Sequence, residues 1–140
     1  MMLTIKTKQC IQLLLVSVML IFLHCGGLKG EFAFKNAFDD AFRKTERIPE
    51  FHVDEEIQWV FSFKTPYSYA NISVLIQQLD LSLWIEVAAY SDYIGEEKSI
   101  VKGTIQNYPP GKYRITLMDT LRNKLISEIE FVVYSEEEED

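Results

Sequence analysis

The sequence predicts an all-β protein: an antiparallel β-sandwich of six to seven strands, preceded by a signal peptide and a short amphipathic helix. Short stretches of alternating apolar and polar residues recur between turn signals in the second half of the chain. A continuous apolar run lies near the N-terminus, and a repeat with helical spacing follows it. We therefore divide the chain into a signal peptide (1–24), a tether (25–32), a neck helix (33–48), a β-sandwich domain (49–134) and an acidic, disordered tail (135–140).

The charge of the chain is distributed unevenly. All 21 acidic residues lie at or after Glu31, so the part that begins at Cys25 has 12 basic residues and a net charge of −9. Such a surface repels phosphate backbones, and nucleic acid is not an expected partner. No cysteine follows Cys25, so the domain is expected to fold without a disulfide. Its stability must come from packing, for which nine Phe, seven Tyr and two Trp supply the material.

The first part of the chain has the pattern of an export signal. Two lysines precede an almost unbroken apolar run over residues 11–23, and Cys25 follows directly, before two glycines. This arrangement resembles a bacterial lipoprotein signal, in which the cysteine becomes the lipidated N-terminus. The resemblance implies a membrane-anchored protein of the cell envelope, facing the periplasm or the cell surface. The alternative is an ordinary secretory signal, whose cleavage after Gly27 or Gly30 would release a soluble secreted protein.

A repeat of four residues, AFKN-AFDD-AFRK, follows the tether. At helical spacing Phe34, Phe38 and Phe42 form one stripe, which predicts a short amphipathic helix over residues 33–48. The stripe has two interpretations. It covers an open edge of its own domain, or it contacts a protein partner close to the anchor. In the second case the three phenylalanines are candidate contact residues.

Alternation of apolar and polar residues predicts the strands of the domain in order. The pattern first becomes clear at Ile57, Trp59, Phe61 and Phe63, where apolar residues recur at every second position. Polar loops and a Pro-Gly turn separate the later stretches. A seventh strand is possible around residues 46–53. The six clear strands are expected within residues 57–63, 72–77, 83–90, 101–106, 113–117 and 129–133.

The segment from Ile105 to Tyr113 ends in a Pro-Gly-x-Tyr motif. It resembles the approach to the penultimate strand in immunoglobulin-like and fibronectin type III-like domains. The resemblance implies the architecture of a sandwich, and it does not imply a function.

The sequence contains no recognisable catalytic or metal-binding pattern. His52 is the one histidine after the signal, and a lone histidine of this kind is expected at an edge or a turn. One histidine without paired cysteines does not build a tetrahedral zinc site. We therefore expect no enzyme, no cofactor and no metal. An unfavoured alternative is a Ca²⁺-dependent carboxylate hydrolase, formed from the acids Asp54, Glu55, Glu56, Asp92, Glu96, Glu97 and Asp119.

An anchor and a sandwich without a catalytic set predict a non-catalytic, lipid-anchored binding module of the cell envelope, with a protein partner. The alternative is a structural or assembly component of an envelope complex. Tyrosines in or near the loops are candidate contacts, because tyrosine supplies binding energy at low entropic cost. They have a second interpretation, in which they cover the ends of the sandwich. These tyrosines are Tyr67, Tyr69, Tyr90 and Tyr93.

Overall fold

Eight strands and no helix form the part of the chain that the computed structural model describes, residues 28–64 and 69–136. Within this part there is accordingly no helix that could cross a membrane. Cys25, Tyr67, the signal peptide and residues 137–140 of the acidic tail lie outside it. The strands are β1 (Gly30–Asn36), β2 (Glu50–His52), β3 (Ile57–Phe63), β4 (Ala70–Asp80), β5 (Leu83–Ile94), β6 (Ile100–Ile105), β7 (Gly111–Asp119) and β8 (Lys124–Tyr134).

The strands form two sheets, which confirms the predicted all-β sandwich. The smaller sheet has the order β1-β3-β6, and the larger has the order β2-β8-β7-β4-β5. Neighbouring strands are antiparallel except β2 and β8, which run parallel. In the larger sheet β8 and β7, the last two strands of the chain, are followed by β4, and β5 is an additional edge strand beyond β4. This order is compatible with an immunoglobulin-like domain. The six strands predicted from alternation correspond to β3–β8, and residues 46–53 contain the predicted seventh, β2.

The predicted neck helix over residues 33–48 is wrong: the described chain has a strand, β1, at its start. Phe32 and Phe34 are both buried, whereas Phe38 is 97% exposed in a turn. The spacing of two between Phe32 and Phe34 is a strand period, and the repeat concealed it. A short isolated helix is marginal in water, whereas pairing with β3 engages all seven residues of β1. Tertiary pairing therefore overrides the helical pattern.

Aromatic side chains dominate the core between the sheets. Trp59 and Phe61 of β3 are fully buried, as are Tyr113 and Phe131 from the larger sheet. The rings of Tyr113 and Phe131 stack with their centroids 5.2 Å apart. The Tyr113 hydroxyl donates a hydrogen bond of 2.6 Å to the carbonyl of Pro109, four residues upstream. This is the arrangement of a tyrosine corner, and it gives the Pro-Gly-x-Tyr motif a structural role.

The sandwich has two distinct ends. At the N-terminal end, Gly30 of β1 pairs with Phe63 at the end of β3. A short connection leads from there to Ala70, which pairs with Ile94 of β5. The distal end lies at the other limit of the strands, where β3 and β7 begin and the turn between β4 and β5 is located. The chain therefore enters the domain at the end opposite to that turn.

Candidate functional site

The β4–β5 hairpin extends beyond the rest of the larger sheet at the distal end. Pairing of β4 with β7 ends at Gln78 and Tyr113, whereas pairing of β4 with β5 continues to Asp80 and Leu83. The last two residue pairs of the hairpin therefore form a two-stranded ribbon, without a third strand beside them. We call residues 79–85 the hairpin tip.

The turn of the hairpin tip has an unusual composition. Leu81 and Ser82 form a two-residue loop with φ angles of 43° and 72°. A loop with two positive φ values favours Asn and Gly, because other side chains crowd the backbone there. Leu81 is nevertheless 92% exposed. A leucine that is both strained and solvated contributes little to the fold, so the position is a candidate for a contact outside the domain.

Apolar side chains continue from the tip along β5. Leu83 is 68% exposed, and Ile85 and Val87 are about half exposed. Ile85 lies opposite Gln78, which lies opposite the core residue Tyr113, so Ile85 is on the inner face of the sheet. It stays exposed because the smaller sheet has three strands against five and leaves part of β5 uncovered. A contiguous apolar surface of this kind is typical of an interaction site.

The free edge of β5 is the long open edge of the described sandwich. The edge of β1 is closed by two backbone hydrogen bonds between Phe34 and Arg43. β2 is only three residues long. The edge of β6 lies against β5, where the Tyr90 hydroxyl donates to the carbonyl of Lys102 over 3.1 Å. β5 has 12 residues and contains neither lysine nor proline, the residues that commonly block an edge.

The base of the hairpin tip is held against β7. The Arg114 guanidinium lies 4.3 Å from the centroid of the Trp84 ring, and its Nε donates to Gln77 Oε1 over 2.7 Å. A cation stacked on an indole ring is an attractive pair, and here it joins three adjacent strands. The Trp84 side chain thus positions the start of β5 and leaves Leu81 and Leu83 exposed.

The three candidate tyrosines that the structure describes do not form one surface. Tyr69 and Tyr93 stack at the N-terminal end, with ring centroids 6.2 Å apart, and Lys98 lies 4.7 Å from the Tyr93 ring. Tyr90 lies farther along β5 against β6, where burial, with a smaller effect of Asp92, raises the pKa of its phenol to about 12. Tyr69 and Tyr93 interact with each other, which fits the interpretation that they cover an end of the sandwich.

The candidate phenylalanines are also dispersed. Phe34 is a core residue at 6% exposure, so it cannot be a partner contact in the folded domain. Phe38 stands in solvent in the turn after β1, and Phe42 lies under the Lys35 ammonium, 5.2 Å from it. The predicted three-residue stripe does not exist.

Of the acids considered for calcium or hydrolysis, Asp92, Asp119 and Glu55 are engaged by other groups of the domain. Asp92 binds Lys98, and Asp119 binds Arg122, both at the N-terminal end. Glu55, at the distal end, accepts from the Asn36 side chain over 3.0 Å and from the His52 amide over 2.6 Å. Residues 28–64 and 69–136 contain no cluster of three or more potential metal ligands. His52 ends the edge strand β2, as expected for a lone histidine.

A cavity of about 270 Å³ opens between β1 and β2. Its lining includes Arg43, Lys44, Glu50 and Glu55. Glu55 already accepts two hydrogen bonds, and Lys44 binds Glu31. These groups stabilise the segment around β2.

Comparison with known proteins adds no functional assignment, since neither a protein-family model nor a curated protein sequence matches this chain. Function must therefore be inferred from the hairpin tip and the edge of β5. Sequence reasoning missed this site, because alternation predicts the strand and not its position in the sheet. One signal was present: Leu83 and Ile85 stand beside Trp84, so both faces of the strand carry large apolar residues.

Proposed function

We propose that this chain is a non-catalytic binding module of the bacterial cell envelope, anchored to a membrane through a lipid on Cys25. In this proposal it contacts a protein partner with the hairpin tip. One observation carries the idea: the apolar tip lies at the distal end, whereas Gly30 enters the domain at the other end.

The dimensions of the domain support this orientation. Five Cα-to-Cα steps lead from Cys25 to Gly30, and they can span about 18 Å at most. The 11 residues of β4 have a length of about 36 Å. A tether at the N-terminal end would therefore direct Leu81 and Leu83 away from the membrane that holds the anchor. Their exposure is then explained by a partner rather than by the lipid of that membrane.

The use of acids within the domain supports a binding role over an enzymatic one. Asp92 and Asp119 form ion pairs, and Glu55 accepts two hydrogen bonds. The alternative role, as an assembly component, combines the phenylalanine stripe with a sheet edge. With Phe34 in the core, such a contact would use the edge of β5 or the hairpin tip.

The experiment that tests the proposal is site-specific photo-crosslinking in the living host. A photoreactive residue replaces Leu81 at the tip, and in a matched control it replaces Leu125, which is also exposed but lies at the N-terminal end. We expect a discrete adduct of higher mass from position 81 and none from position 125. Equal adducts from both positions, or none from either, would refute a partner at the tip.

The anchor is tested in the same cells. Cys25→Ser is expected to move the protein from the membrane fraction to the soluble fraction, because lipid attachment to that sulfur would be lost. Membrane partitioning that does not change in this variant would refute the lipid anchor. A soluble protein that still forms the adduct at position 81 would retain the binding role and lose the anchored one.

A further inference from the structure

The open edge of β5 presents groups that favour one kind of binding partner. An edge strand presents main-chain N–H and C=O groups, to which a further strand can add. β5 pairs with β4 on one side only, and its part from Tyr90 onward lies against β6, so the open edge is the stretch from Leu83 to Ala89. Leu83, Ile85 and Val87 supply exposed apolar side chains along this edge. An added strand would therefore find both backbone partners and apolar contacts.

The charges around this edge are predominantly negative, although the Arg114 guanidinium lies over the Trp84 ring at the start of β5. Between residues 79 and 98 the chain has one basic residue, Lys98, which binds Asp92 and lies over the Tyr93 ring. The other acids of this stretch have no ion-pair partner among the described residues. They are Asp80 at the tip, Glu86 within β5, and Glu96 and Glu97 beyond its end.

We propose that the edge of β5 binds an extended segment of a partner protein in which basic residues alternate with β-branched or other apolar residues. The segment adds to the larger sheet as a sixth strand. Its apolar side chains pack on Leu83, Ile85 and Val87, and its lysines or arginines lie near Glu86 and the acids at both ends of β5. This inference rests on the proposed binding function and specifies the partner.

Two other occupants are less compatible with these charges. A second copy of the chain would bring the same unpaired carboxylates to the same edge, where like charges oppose association. An anionic membrane surface would be repelled in the same way. A basic strand is attracted instead, and its binding should weaken as salt screens the charges.

Selection of peptides tests this inference without a known partner. Random peptides as long as β5, displayed on phage, are selected on the full chain purified in detergent. We expect enriched peptides with lysine or arginine at alternate positions and valine, isoleucine or threonine between them, without proline. The strongest synthetic peptide should slow amide hydrogen exchange in β5, and binding should weaken with added NaCl.

Matched variants identify the surface. Leu83→Lys and Glu86→Lys should each weaken binding of that peptide by about tenfold or more, because each adds a positive charge to the edge. Leu125→Lys and Glu128→Lys make the same changes at exposed positions of β8 and should leave binding unchanged. Circular dichroism of each variant shows whether it is folded.

Several outcomes would overturn the inference. They are enrichment of acidic or unpatterned peptides, equal loss with the β8 variants, or concentration-dependent dimers that Glu86→Lys strengthens. Binding to vesicles of neutral lipid through Leu83 would overturn it as well. If the crosslink at position 81 forms and no basic peptide is selected, the binding role stands and this partner class is wrong. If neither is seen, both proposals fail.

Discussion

The two ends of the sandwich differ in how their exposed side chains are held. At the N-terminal end charged groups form ion pairs and aromatic rings stack. Glu31 binds Lys44 and Lys64, and Tyr69 stacks on Tyr93. At the distal end the hairpin tip exposes leucines without comparable contacts in the described domain. The N-terminal end also exposes two leucines, in the β7–β8 turn and at the start of β8, but the apolar residues of the tip continue along an open sheet edge, which indicates a contact outside the domain.

The sharpest test of this contrast removes a buried acid at the N-terminal end. Asp119 is 2% exposed, and its carboxylate accepts from the amides of Leu121 and Arg122 and from the Arg122 guanidinium. Asp119→Ala removes these three hydrogen bonds and should lower the free energy of unfolding by about 2–3 kcal/mol.

Urea denaturation measures the change, and Asp80→Ala at the distal end is the matched control. Asp80 is exposed in the tip, so the control should change stability by less than about 0.5 kcal/mol. Comparable losses for both variants would contradict the proposed difference between the ends.

A second test relieves the backbone strain of the tip. The double change Leu81→Asn and Ser82→Gly introduces residues that accept positive φ and should stabilise the domain by about 1 kcal/mol. The same variant should lose the partner adduct, photo-crosslinked in this case from position 83, because the Leu81 side chain is gone. Opposite changes in stability and binding would show that the leucine serves contact rather than folding.

Asn123→Gly is the control for that test. Asn123 also has a positive φ, 51°, in the β7–β8 turn at the N-terminal end. Asparagine tolerates this conformation, so the change should alter stability by only about 0.3 kcal/mol and leave the adduct intact. A tip variant that is no more stable than wild type would remove the argument from strain.

The smallest expected effect concerns acid stability at the N-terminal end. Hydrogen bonds from Lys44 and Lys64 lower the pKa of Glu31 from 4.5 to about 2. A carboxyl whose pKa is lowered by folding stabilises the domain at every pH above its pKa in the unfolded chain. This contribution is lost as the pH falls from about 4.5 to 2. Glu31→Gln should therefore flatten the dependence of the thermal midpoint on pH within this window.

The effect is small because Glu31 is accessible to solvent, which screens its ion pairs. In the Glu31→Gln background, Lys44→Gln and Lys64→Gln should leave the shape of the acid profile unchanged. An acid profile of Glu31→Gln that matches the wild type would show that this cluster does not stabilise the N-terminal end.

Individual strands were predictable because their signal is local. In β3 the alternation of Ile57, Trp59, Phe61 and Phe63 places four apolar side chains on one face, and the structure buries all four. β1 was misassigned because its repeat satisfies a helical spacing and a strand spacing together. Only the partner strand β3 decides between them, and that pairing spans a long separation in sequence.

The candidate site depended almost entirely on tertiary structure. Tyrosine and phenylalanine are the residue types that the sequence predicts as partner contacts. In the structure, however, Phe34 packs in the core, and Tyr69 and Tyr93 pack on each other. The sequence around Leu81 and Leu83 has no motif that predicts a contact site. Whether such a residue is buried depends on what lies across the sheet from it.

The sequence by itself determined the all-β class, the acidic surface and the positions of most strands. These follow from composition and from contacts between residues close in sequence. Tertiary structure alone decided that β5 is an open edge and that the hairpin tip lies opposite the end at which Gly30 enters the domain. The physical reason is that sheet order and coverage result from pairing between distant strands, which no local pattern of apolar residues encodes.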